Sequence, residues 1–105
     1  MPIDINWEHM AALPSRGSVS GAATGVISSK AGGRLVLLVL ANTGGTVRQV
    51  AVYDNTSASG TKLMTITCPA NFTTVLNLWP GIRLSTGLTI VSQTDMEVMV
   101  AGRGL

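Results

Sequence analysis

From Arg34 to the carboxyl end the sequence is a succession of six short apolar segments set off by turn residues, a spacing that leaves few folds open. The segments are RLVLLVLA (34–41), TVRQVAVY (46–53), KLMTITC (62–68), FTTVLNLW (72–79), LTIVSQ (88–93) and MEVMVAG (96–102). Each is rich in Val, Ile, Leu or Thr, and Gly, Pro, Asn and Asp fill the gaps, which is the signature of strands joined by turns. Met64, Ile66 and Cys68 alternate with Thr65 and Thr67, and Met96, Val98 and Val100 flank Glu97, so these strands have one buried and one polar face. Helical spacing is sustained nowhere beyond Gly33. The expected fold is all-β, a small antiparallel β-sandwich or jelly-roll-like barrel.

Residues 1–33 read differently. Pro2 and Pro14 interrupt them, and seven Ser, Thr or Gly positions crowd into Ser15 to Gly25. The expected organisation is an N-terminal arm over 1–33 and a β-sandwich domain over 34–105, since 105 residues suffice for one core. Within the arm, Ile3, Ile5 and Trp7 alternate with Asp4, Asn6 and Glu8, as in a strand added to a neighbour's sheet. A short helix from Asn6 to Leu13, with Asn6 as its N-cap, fits the same residues. In either form Ile3, Ile5, Trp7 and Met10 need a surface to bury them and are the candidate partner-binding residues.

Composition argues that much of the surface is covered. Charged residues are 11% of the chain, against about a quarter in an average soluble domain, and mixed charge is what usually keeps a free monomer soluble. The polar share is carried by Thr and Ser instead. The stretch LVLLVL (35–40) is apolar on both faces, which predicts that both are covered and that the chain self-associates, as a trimer. A β-rich domain with Ser/Thr-coated strands is the plainer account of the same numbers.

The sequence offers little to catalysis. Arg16, Lys30, Arg34, Arg48, Lys62, Arg83 and Arg103 are scattered singly, without the stripe that tracks phosphates, so no nucleic-acid partner is expected. Cys68 is the one cysteine, too few for a disulfide or a cysteine metal cluster, and reads as a small buried hydrophobe. The longest apolar run is far short of a membrane span, and Asp4, Glu8 and His9 stand where a secretion leader would be apolar, so neither membrane nor export is expected. GSVSG (17–21) has Val19 where a nucleophile elbow needs serine. Asp95 and Glu97 share a strand face, but a solvated edge explains them without acid–base work. The polar stretch from Asp54 to Thr61 has no base near Ser57 or Ser59, and Asp54 with Asn55 are too few ligands for calcium. It reads as a connection in which Asp54, Asn55 and Ser57 cap their own backbone and Gly60 supplies a positive φ. No enzyme, cofactor or metal site is expected.

Two stretches carry a resemblance: VYDNTSASGTKLMTI (52–66) and LNLWPGIRLSTGLTI (76–90). The first has Tyr53, Asp54, Thr56, Ser57, Ser59, Gly60, Thr61 and Leu63 in a strand–turn–strand pattern. The second has Gly81, Ile82, Arg83, Ser85, Thr86, Gly87 and Leu88 in a hairpin pattern. Together they resemble small β-rich structural proteins of tailed-bacteriophage virions. What the resemblance implies is a capsid decoration (cement) or accessory protein that binds the major capsid protein or another virion protein. A homotrimeric β-sandwich is the usual form, located on a virion assembled in the host cytoplasm. A head-fibre, neck or tail component is the alternative within that setting. The alternative outside it is a carbohydrate-binding β-sandwich, for which Trp79 is the candidate stacking platform.

Overall fold

The computed structural model describes residues 15–105. Their architecture is all-β. Eight strands are formed: β1 (Ser15–Ser20), β2 (Ala23–Ser28), β3 (Arg34–Asn42), β4 (Arg48–Tyr53), β5 (Lys62–Cys68), β6 (Phe72–Arg83), β7 (Leu88–Ser92) and β8 (Met96–Arg103). They make two four-stranded antiparallel sheets, β1-β8-β3-β6 and β2-β7-β4-β5, which we call the first and second sheet.

The pairing has a simple logic. β4 pairs with β5, β3 with β6, β2 with β7 and β1 with β8, all antiparallel. The chain is thus one long hairpin whose tip is the β4–β5 connection, and successive rungs of that hairpin fall alternately in the two sheets. Lateral pairs β3–β8 and β4–β7 then close each sheet. A doubled ribbon wrapped in this way is a jelly roll. Asn71 and Asp95 hold positive φ at the β5–β6 and β7–β8 turns, a conformation that these short polar residues tolerate better than most.

Between the sheets lies one apolar core. Leu35, Leu38 and Leu40 of β3 and Val98 and Val100 of β8 face Val50 and Val52 of β4 and Ile90 of β7, all essentially inaccessible to solvent. Cys68 is buried in the same core. The buried Asn42 amide is fully engaged: Nδ2 donates to the carbonyls of Thr46 and Cys68, and Oδ1 accepts from Gly44 N–H, which closes the β3–β4 turn. A buried polar group satisfied in this way costs little.

The boundary expected at Gly33 moves. Residues 15–28 are two strands, one on an edge of each sheet, and Val19 belongs to the core. Their glycines are packing positions. A Cβ on Gly25 would meet Val19 Cγ2 at 2.5 Å, and one on Gly17 would meet Ile27 at 3.0 Å. Val19 and Ile27 therefore fill the places that Gly25 and Gly17 leave empty, and β1 closes on β2 at this side of the sandwich. Ile3, Ile5, Trp7 and Met10 lie outside the described residues.

β3 also departs from expectation. Its inner face is buried in the core, and on the outer face Val36 and Leu37 are covered within a single chain while Val39 stays half-buried. The register slips between Leu35 and Leu37 against β6 and β8, and Val36, Leu37 and Ala101 form a small second cluster on the outer face. β6 is far longer than its apolar segment. Between Asn77, opposite Leu37, and Ile82, opposite Leu35, it bulges through Leu78, Trp79, Pro80 and Gly81, with a cis peptide before Pro80. Gly81 sits against Val36, where a Cβ would meet Cγ2 at 3.2 Å. Covering Val36 and Leu37 thus requires no second subunit.

Candidate functional site

The outer face of the first sheet is the surface most unlike a plain solvated one. Directly opposed residues point to the same side, and alternate residues along a strand share a face. With Ala101 and Leu37 as reference points, the registers lay this face out in rows. At one end Arg83, Arg34 and Arg103 stand side by side on β6, β3 and β8. Next come Asn77, Leu37, Ala101 and Arg16, and then Val75, Val39, Met99 and Ser18. The last row is Thr73, Ala41, Glu97 and Ser20. The face runs from basic through apolar to acidic.

The apolar row is open. Met99 is 47% and Val75 43% exposed, on either side of the half-buried Val39. A shallow concavity beside it is lined by Ser18, Ser20, Val39, Ala41, Glu97 and Met99, among others. Three adjacent strands presenting apolar side chains to water in one row is a contiguous patch, unlike the single exposed apolar residues found on any protein.

Trp79 stands at the basic end, on the bulge, and is 51% exposed. The Arg103 guanidinium lies over its ring, 5.4 Å from the centroid. Arg34 reaches the carbonyl of Gly81 at the limit of hydrogen bonding, 3.5 Å. Arg34, Trp79, Pro80 and Arg103 line an open depression of about 360 Å³. The expectation of singly scattered cations holds for the sequence and fails for the surface. Four of the seven, Arg16, Arg34, Arg83 and Arg103, gather at one end of a single sheet. Nothing in a linear reading marks them, because only the nested hairpin brings residues so far apart together.

The polar loop between β4 and β5 is a clamp. Asp54 does not cap its own turn but the one before β7: its carboxylate accepts N–H bonds from Ser85 at 2.9 Å, Thr86 at 2.9 Å and Gly87 at 3.3 Å. Partial burial pushes this carboxyl group up, but the three backbone donors outweigh it and hold Asp54 below its ordinary value. Asn55 braces the loop internally, donating to the Ser59 carbonyl and accepting from Thr56 N–H, while its own carbonyl accepts from the Thr89 hydroxyl. Ser57 and Ser59 bond to each other.

Elsewhere the chemistry is quiet. Desolvation raises the Cys68 thiol, which opposes the thiolate form a nucleophile needs. Glu97 stands in the last row of that face, but Asp95 does not share a strand face with it, because Asp95 lies in the turn before β8 at positive φ and pairs at 3.8 Å with Arg48 of β4. Among the described residues no three His, Cys, Asp or Glu side chains come together as a metal site would require. No model of a known protein family matches the chain, and no curated protein aligns with it.

Proposed function

We infer that this chain is a non-catalytic structural protein of a bacteriophage virion, one that attaches to the capsid lattice and stabilises it by adding contacts. The observation that carries the reading is the open apolar row Val75–Val39–Met99 on the outer face of the first sheet. Around it lie Ser18, Ser20, Thr73 and Asn77, short polar groups suited to the rim of an interface. The jelly roll itself is a fold used by capsid domains, which supports the reading by analogy of fold alone.

In mechanism the work is stoichiometric burial. Each copy removes apolar surface from water against a capsid subunit, and many copies on one shell multiply a modest contact energy. The partner is the major capsid protein or another virion protein, a head-fibre, neck or tail position being the neighbouring possibility. Ile3, Ile5, Trp7 and Met10 add to the anchoring surface, and a closed trimer is the assembly proposed. Quantitative mass spectrometry of purified virions from the phage that encodes the chain tests this. Copy numbers in simple proportion to the major capsid protein are expected, and absence from the particle refutes the reading.

A second reading has its own observation. Trp79, half-exposed beside Arg34 and Arg103, is a platform on which a sugar ring could stack. Quenching or a blue shift of tryptophan fluorescence by oligosaccharides, lost in Trp79→Ala, would favour a carbohydrate-binding module.

A further inference from the structure

Two short alternations in the chain meet across β1 and β8. Ser18-Val19-Ser20 sends Val19 into the core and both hydroxyls outward, and Glu97-Val98-Met99 does the same with Val98 inside. The register sets Ser20 beside Glu97 and Ser18 beside Met99. On the other flank of β8 it sets Ala41 beside Glu97 and Val39 beside Met99. Short or half-buried neighbours thus surround two long side chains, and the shallow concavity they line holds about 200 Å³.

The chemistry of this concavity is one-sided. Its apolar part is Val39, Ala41 and Met99, continuous with the open row. Its polar part is the exposed Glu97 carboxylate with the hydroxyls of Ser18 and Ser20, all of which accept hydrogen bonds. No Lys or Arg stands in the lining. On this face of the described residues the nearest cation is Arg16, about 13 Å from Ser20 along β1. Size decides between kinds of occupant. Small-molecule sites take about 300–1,000 Å³, so a concavity of about 200 Å³ suits one side chain rather than a whole ligand.

We propose that this concavity receives a lysine side chain of the docking partner. Glu97 and Met99 lie about 7 Å apart along β8, a span that a four-carbon stem covers. The stem lies on Val39 and Met99 while the ammonium group reaches the Glu97 carboxylate, the apolar-body, charged-tip arrangement that lysine favours. Ser20, directly beside Glu97, is a second acceptor, and solvent takes the remaining N–H. That the lysine belongs to a virion protein rests on the attachment proposed above; the pocket's choice of ligand does not.

Blocked tripeptides read the pocket on the full chain without any capsid. In ¹H–¹⁵N spectra, acetyl-Gly-Lys-Gly-amide should shift the amides of Ser18, Ser20, Glu97 and Met99 saturably, with a Kd of about 1 mM. The same peptide with norleucine, which keeps the stem and loses the charge, should bind up to about five-fold more weakly, the most that one exposed ion pair supplies. Glu97→Gln should weaken the lysine peptide to the same degree, with a retained β-type circular dichroism spectrum confirming its fold. Molar salt should remove the difference between the two peptides. Equal binding of both peptides, or of the lysine peptide by wild type and Glu97→Gln, overturns the pocket, and tighter binding of the arginine peptide overturns the choice of lysine. Selective lysine binding by a chain that does not attach to phage capsids would keep the pocket and refute the capsid reading.

Discussion

Removing the Asp54 carboxylate tests how much one side chain contributes by joining two distant turns. In Asp54→Ala the N–H groups of Ser85, Thr86 and Gly87 lose their acceptor. Were those donors sealed from water, each charge-assisted bond would be worth about 1.5–3 kcal/mol. Those of Ser85 and Thr86 are exposed, so water replaces much of the loss, and the nearer precedent is an N-cap, whose truncation costs about 0.5–2 kcal/mol. Because the clamp also holds the β4–β5 loop against the turn before β7, the upper half of that range applies, about 1–2 kcal/mol. For a domain of this size that lowers Tm by about 5–10 °C. Asp54→Asn, which keeps one acceptor oxygen without charge, should fall between. The sign with pH follows from the depressed folded-state value. The carboxylate's contribution is complete well above its ordinary value of 3.8 and disappears as pH falls through the lower folded-state value. Urea unfolding followed by circular dichroism from pH 7 to pH 2.5 measures it. The gap between wild type and Asp54→Asn should be constant near neutrality and close in acid. A gap that is absent at pH 7, or that does not change with pH, refutes the clamp.

Three further outcomes follow from the core and its edges. Gly25→Ala should cost about 1–3 kcal/mol by forcing Val19 aside, and Val19→Ala should relieve part of that cost in the double variant, measured by urea unfolding. Deleting residues 1–14 should leave the β-type spectrum and a cooperative melt, whereas deleting 1–33 should abolish the melt, because β1, β2 and the core residue Val19 go with it. Cys68 should react with a thiol reagent at a rate set by unfolding, and promptly in denaturant, because its sulfur is inaccessible and desolvation raises its pKa.

Legibility in the sequence followed the source of each residue's energy. β5 and β8 announce themselves, since Met64-Ile66-Cys68 and Met96-Val98-Val100 alternate with polar partners and bury by ordinary sandwich packing. β3 was legible as a strand, but the covering of Val36 and Leu37 by a bulge of β6 was not, because that bulge lies some forty residues further along the chain. SRGSVS and ATGVIS look like a linker because glycine and serine dominate them. Their fit lies in holes rather than knobs, and a hole has no hydrophobic signal. Tight Gly-x-Val and Gly-x-Ile alternation at 17–19 and 25–27 is the trace that could have exposed them. Asp54 reads as a cap of its own turn, but its carboxylate binds the turn that begins at Ser85 instead, a pairing that depends on where β6 ends. The arginine row illustrates the same limit, for charge spacing along the chain says nothing until register is known.

The central claim, that the outer face of the first sheet is the attachment surface, is tested by placing one charge in its apolar row. Met99→Asp and Val75→Asp alter side chains that are 47% and 43% exposed, so the domain should keep its spectrum and nearly all of its stability. Burying a large apolar side chain at an interface is worth about 1.5–3 kcal/mol, and 1.4 kcal/mol is a factor of ten in affinity. If the proposed capsid attachment holds, co-sedimentation with undecorated phage capsids should therefore show either variant binding at least about ten-fold more weakly than wild type. Binding of both variants at wild-type strength would contradict the account and move the attachment surface off this face.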